Sequence, residues 1–243
     1  MRLLRAELLK LATTRLVLWL ALLLVALEVL LISLTAAQDG RDDLALASTQ
    51  RSLVAFAAVS VLISLILGVV ALTGEYEHGT VSATFLVAPA RERVVAAKIA
   101  AAALGGAAVA VFADVVGYGL SALWIAGRSI PSHLGTRDTL AVLGGIVLAA
   151  ALAGALGVGY GAILRRQTAA IVVVFAWLLI GEPLLAITGV QRFAPGHALA
   201  AVVAGGHRSA ELLGFWAGLA VTLVYIGVTA VVGTTAVRNA DVS

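Results

Sequence analysis

The sequence predicts an all-α fold, a polytopic bundle of six membrane-spanning helices, and three observations carry that prediction. The 243 residues are 62% hydrophobic and 12% charged, where a soluble domain is roughly half apolar and a quarter charged. The excess is gathered into blocks, several of them longer than the roughly 18 to 20 apolar residues that cross a bilayer as a helix. In lipid only helices and closed barrels satisfy every backbone N–H and C=O, and no segment alternates with the period of two of a barrel strand.

Taken in order, the opening MRLLRAELLKLATTR places Leu3, Leu4, Leu8 and Leu11 at helical spacing, with Arg2, Arg5, Glu7 and Lys10 elsewhere on the wheel. That pattern predicts a helix lying in the headgroup plane over about residues 1–15. Six spans follow, over Leu16–Ala36, Ser52–Thr73, Val94–Ala126, Thr139–Leu164, Ala169–Val190 and Leu212–Val237. The first has the outline of a signal peptide, with basic residues, an apolar run and then LTAAQ. Its run is too long for a signal core and Glu28 interrupts it, so it reads as a span. The third is longer than a bilayer requires and must tilt or protrude.

Six spans put both termini on one side. That side collects Arg2, Arg5, Lys10, Arg15, Arg91, Arg93, Lys98, Arg165, Arg166 and Arg238; the other collects Arg41, Arg51, Arg128, Arg137, Arg192 and Arg208. The excess of Lys and Arg on the first side predicts that both termini are cytoplasmic. The pI of about 9.7 thus reports orientation rather than nucleic-acid binding. Cysteine is absent, which excludes disulfides and thiolate metal sites.

Within the spans, Gly157 with Gly161, Gly214 with Gly218, and Ala150 with Gly154 recur at four-residue spacing, the pattern that lets helix backbones approach closely. Three carboxylates, Glu28, Asp114 and Glu182, also lie inside spans. Each must face protein or water, because a charge at the bilayer centre costs at least about 2.5–3.5 kcal/mol. They read either as a translocation pathway or proton relay, or as hydrogen-bonded groups that lock helices together. Glu182 precedes Pro183, which frees a carbonyl and bends the helix, so this pair marks a candidate gate. Between spans five and six, Gln191–Glu211 is too short and polar for a further span. Its apolar centre HALAAVVAG predicts an outer re-entrant segment, with His197 and His207 as surface residues short of a third metal ligand. No HExxH, GxSxG or GxxxxGK[ST] motif is present, so no catalytic residue is nominated and any nucleotide chemistry must lie on another chain.

The charged elbow between spans two and three is the most informative stretch. In GEYEHGTVSATFLVAPARERVVAAK, Gly79 and Thr80 read as a break and an N-cap, a short helix runs to Val87, and Pro89 stops it. A helix so short needs a surface to dock on, and Glu75 and Glu77 favour a protein groove over anionic lipid.

The chain here resembles the membrane (permease) subunits of type-2 ATP-binding cassette exporters. RAELLKLATTR resembles that family's opening interfacial helix. The elbow, with its acid–Gly–Thr opening followed by Pro, Arg and Lys, resembles its coupling helix, although the family often has Arg or Lys where Tyr76 and His78 stand. GYGAILRRQTAAIVVVFAWLLIGEPLL resembles its junction of spans four and five. The resemblance implies a single transmembrane domain over residues 1–243, forming half of an efflux pathway for a lipophilic or drug-like substrate. It implies a second membrane subunit, in a homodimer or heterodimer, and two ABC ATP-binding subunits that carry Mg-ATP, with no cofactor on this chain. ATPase coupling is then expected at about residues 75–93, through Glu75, Glu77, Gly79, Thr80, Thr84, Phe85, Pro89, Arg91 and Arg93. The expected location is the bacterial plasma (inner) membrane, with the lipid bilayer as surroundings and no nucleic-acid partner. The alternative reading is a stand-alone proton-coupled secondary transporter using Glu28, Asp114 and Glu182.

Overall fold

The computed structural model describes residues 2–79, 91–205 and 211–239, whose regular structure is all helix, with no strand among them. The helices are α1 (Arg2–Thr13), α2 (Arg15–Gln38), α3 (Ala47–Glu77), α4 (Arg91–Gly127), α5 (Thr136–Leu164), α6 (Gln167–Thr188), α7 (Pro195–Val203) and α8 (Phe215–Asn239). Six of them, all but α1 and α7, are long and apolar enough to cross a membrane, and they overlap all six predicted spans. The chain is therefore a multi-pass membrane protein by its fold.

The helix boundaries follow local chemistry. Thr14 is extended, with φ −79° and ψ 124°, and separates α1 from α2. Gly79 has φ +65° and ends α3 in the left-handed conformation that a side chain resists. α4 has 37 residues, so it rises roughly 55 Å at 1.5 Å per residue, well beyond the roughly 30 Å hydrocarbon core. In α6 the Pro183 ring and its missing N–H cannot continue an ordinary ladder. The turn before it, Trp177–Gly181, widens into a π-helix in which the Glu182 N–H reaches the Trp177 carbonyl.

α5 is the axis of the bundle. Two thirds of its most apolar stretch is buried, against 17% for α2, α6 and α8, which therefore present most of their surface outward. Its small residues make this possible. The Cβ that Gly154 lacks would overlap the Ala102 carbonyl of α4, and that of Gly68 on α3 would overlap the Gly154 carbonyl. Gly157 lies equally close to the Leu65 carbonyl, and the missing Cβ of Gly106 on α4 would sit 2.5 Å from the Ala150 carbonyl. These are backbone-to-backbone contacts of α3 and α4 with α5, of the kind that drives helix association in lipid. Both expected pairs on α5 are at helix contacts. On α8, Gly218 lies against Ala201 and the Ala198 carbonyl of α7, while Gly214, just before the helix, faces open space.

At the end of the bundle away from α1, the connecting loops are fixed by one fully buried amide. Gln50 Nε2 donates to the carbonyls of Leu44 and Pro131, and its Oε1 accepts the His133 N–H. Side-chain packing around α5 predicts a clear asymmetry between glycines. Gly157→Ala should lower the melting temperature of the detergent-solubilised chain by an amount equivalent to about 1–3 kcal/mol of overpacking, because the obstructing atom is backbone. Gly144→Ala, with nothing within 4 Å of the added methyl, should leave it unchanged.

Candidate functional site

The end of the bundle that carries α1 is organised by four alternating charges. Glu7 and Lys10 are three residues apart on α1 and hydrogen-bond at 2.9 Å. Lys10 Nζ also lies 2.7 Å from Glu75 Oε1, in the last turn of α3. Lys98, in the second turn of α4, closes the ring: its Nζ is 2.7 Å from Glu7 Oε2 and 2.8 Å from Glu75 Oε1. A third bond from the same ammonium runs to the Ala71 carbonyl at 3.2 Å, so its three donors meet three acceptors. Lys98 is 1% exposed. An ammonium so deeply buried is tolerated only because the ring is neutral overall and every donor is used.

Charge in the ring is held on its groups. Burial pushes the Glu7 carboxyl up, but the hydrogen bonds and charges of Lys98 and Lys10 outweigh it and leave it below the usual carboxylate range. Burial likewise pulls Lys10 down, and its bonds to Glu75 and Glu7 more than offset that, so it is held above the usual lysine range. Beside the ring is a cavity of about 440 Å³, with Glu7, Lys10, Glu75 and His78 at its charged wall and Leu11, Val17, Leu67 and Val70 on its apolar side.

This ring places the expected coupling residues unequally. Glu75 turns inward to Lys10 and Lys98, whereas Glu77, Gly79 and Arg93 are exposed. Arg91 opens α4. Thr80, Thr84, Phe85 and Pro89 lie outside the described residues. His78 caps the end of α3, with Nδ1 2.7 Å from the Gly74 carbonyl. The sequence reading did not nominate Glu7, Lys10 or Lys98 as site residues. The signal was present in Lys98, a charge just inside an apolar run, which demands a counter-charge.

The other end holds a second polar device. Glu182, 3% exposed, accepts the Trp177 Nε1–H at 3.1 Å and the Gly196 N–H at 2.7 Å on Oε1, and pairs through Oε2 with His197 Nδ1 at 2.8 Å. Gly196 and His197 are in the first turn of α7, so the carboxylate sits at the positive end of that helix dipole. The opposite end of α7 is held by Arg51, whose Nη2 donates to the Ala204 carbonyl at 2.7 Å. His197 is therefore not the plain surface residue expected, because the bend at Pro183 carries Glu182 to it; His207 lies outside the described residues. Below this latch is an apolar cavity of about 430 Å³ lined by Tyr160, Trp177, Tyr225, Leu156 and Leu199.

The remaining two intramembrane carboxylates are elsewhere and are arranged differently. Glu28 on α2 and Asp114 on α4 are 0% and 7% exposed, and Glu28 Oε1 and Oε2 and Asp114 Oδ1 have no hydrogen-bond partner. Among the described residues no group of three or more His, Asp or Glu side chains is arranged to hold a metal ion. No family model matches the chain, and no curated protein matches it either.

Two outcomes follow from these geometries. The folded Glu7 binds its proton less tightly than the unfolded chain, so its contribution is complete above about pH 4.5 and lost as pH falls through the lowered value. Lys10 contributes fully below about pH 10.5 and loses its contribution as pH rises through the raised value. The melting-temperature difference between wild type and Glu7→Gln should therefore be flat across the neutral range and shrink only in acid below about pH 4.5. At the other end, Glu182→Leu strands the Gly196 N–H and the two ring donors and should cost about 2–3 kcal/mol. Glu182→Gln, which can still accept from Gly196, should cost less than half of that by the same melting measurement.

Proposed function

We propose that the chain is the membrane-spanning permease subunit of an ATP-driven exporter of the type-2 ATP-binding cassette class. The observation that carries this reading is the ring of Glu7, Lys10, Glu75 and Lys98. It fastens α1, the end of α3 and the start of α4 into one unit, and the last two flank residues 80–90, the segment whose sequence resembles a coupling helix. A push on that elbow is then delivered to three helices together rather than absorbed at a loop.

In this reading two ATP-binding subunits close on Mg-ATP and move the elbow as a lever. The membrane halves, this chain and a second membrane subunit, rock and open the path between them outward. Glu77, Gly79, Thr80, Thr84, Phe85, Pro89, Arg91 and Arg93 form the surface offered to the ATPase, with Glu75 behind them as the anchor. α7 is the outer re-entrant gate, consistent with its polar fastening at both ends by Glu182 and Arg51. The apolar, aromatic-lined cavity beneath it suits lipophilic cargo. The charge asymmetry of the loops supports cytoplasmic termini in a bacterial plasma membrane. The rival reading, a proton-coupled transporter with a relay through Glu28, Asp114 and Glu182, is less well supported, because the bonded partners of Glu182 all belong to the α6–α7 latch.

The test is a pull-down of the tagged, mildly solubilised chain from the membranes that make it, comparing wild type with Thr80→Arg, Phe85→Glu. An ATPase subunit that co-elutes with wild type and is lost from the double variant is the expected result. Absence of any ATPase from wild type across several mild detergents would overturn the exporter reading.

A further inference from the structure

A layer of unpartnered polar atoms lies in the middle of the bundle, between α2, α3 and α4. Glu28 contributes two oxygens, Asp114 Oδ1 a third and Ser60 Oγ a fourth, all buried and none hydrogen-bonded. Asp114 lies near enough for its charge to bear on Glu28. Ser60 belongs to the same layer by register. On α3, Ala57 is 3.3 Å from the Cβ position of Gly117 on α4, and Ser64 is 3.1 Å from that of Gly106. The two helices run antiparallel, so Ser60, midway between Ala57 and Ser64, falls opposite the α4 turn that carries Asp114. Ser64, one turn along the same face, points its hydroxyl at the Gly106 carbonyl of α4, 3.4 Å away, and so fixes the direction in which that face of α3 looks.

The same three helices share an apolar core cluster here, with Leu24, Ala57, Ala110 and Ala113, to which α5 adds Val142, Ile146 and Ala150. Neither α3 nor α5 brings a titratable group to this layer, and no Lys, Arg or His is bonded to either carboxylate among the described residues. The contrast with the rest of the molecule is informative. Lys98 is buried with its charge matched and Glu182 with three donors around it, whereas here two carboxylates are buried with neither. Two negative charges in such a place require two positive charges, and the protein supplies neither. Carboxylate and hydroxyl oxygens without any donor are the ligand set of hard, small cations.

We propose that Glu28, Asp114 and Ser60 form an exchangeable intramembrane site for small monovalent cations, protons or an alkali ion, held between α2, α3 and α4. Two protons neutralise the pair. One proton and one alkali ion do so equally, with Ser60 Oγ completing the oxygen ligands of the ion. The site stands apart from the α6–α7 latch and from the Glu7–Lys98 ring, and it does not rest on the exporter reading.

The experiment is thermal melting of the full chain in lipid nanodiscs, with Na⁺ replacing choline at constant ionic strength and pH, and separately with acidification in choline from about pH 8.5 to about 5.5. Glu28→Gln, Asp114→Asn is the comparison. An alkali site raises the wild-type melting temperature by about 3–6 °C at tenfold excess of Na⁺ over its dissociation constant. That response vanishes in the double variant and weakens in Ser60→Ala. A proton site shows no Na⁺ response but gains stability on acidification, and that gain vanishes in the double variant. Absence of both responses in wild type, or their persistence in the double variant, overturns the proposal. Should the double variant fail to fold, infrared difference spectra of wild type and Glu28→Gln on the same pH and Na⁺ steps decide the matter. A carboxyl C=O band that changes in wild type and is lost in Glu28→Gln supports the site, and an unchanged spectrum overturns it.

Discussion

Charge placed inside an apolar bundle must be matched within the bundle, and that constraint organises this molecule more than any single packing contact. Lys98 shows how the constraint is met. Its ammonium is almost wholly covered, and each of its three N–H groups has an oxygen to meet, two from carboxylates on other helices and one from the backbone of α3. Glu182 meets it in mirror image, a carboxylate with three donors around it. In a low-dielectric interior a fully paired group is rigidly held, because losing one partner leaves the other stranded. The two matched sites therefore act as fasteners, and they hold the two short helices, α1 and α7.

Between the fasteners, stiffness comes from backbone contact. α3 and α4 lie against α5 with peptide groups touching at Gly68, Gly106, Gly154 and Gly157, so the three rods leave little room to slide. α2, α6 and α8 are held more loosely, with most of their surface outward. The π-helical turn at Trp177–Gly181 lies in this outer set. It allows α6 to bend without disturbing α5, and the bend is what carries Glu182 to the first turn of α7.

The spans were legible in the sequence because block length alone decides them: nothing but a helix satisfies twenty apolar residues in lipid. The leucine spacing of residues 3–11 marked α1, and Gly79 marked the end of α3, each from local chemistry. The partners were not legible. Glu7 and Lys98 are 91 residues apart, and nothing in either segment names the other. His197 reads as a surface residue because the sequence offers no third metal ligand beside it and His207; only the Pro183 bend brings Glu182 to it. Glu28 and Asp114 were legible as costly residues, but whether their cost was met by partners depends on the register of three helices, which composition does not encode.

α3 reaches both of the short helices, α1 through the charged ring and α7 at the end opposite Glu182. Its last turn gives Glu75 to the charged ring, and its first turns give Arg51 to the far end of α7. Its 31 residues span roughly 45 Å at 1.5 Å per residue, so it links the two ends of the bundle by a single rod. That rod has one irregularity, the 3₁₀ turn at Phe56–Ala58, and a short 3₁₀ stretch within a helix is a common place for a hinge. In the exporter reading, a displacement of the elbow enters α3 at Glu75 and leaves it at Arg51. The hinge falls just before Ser60, where the same rod passes the unmatched carboxylates of α2 and α4. Motion of the rod and neutralisation of that layer thus share one helix.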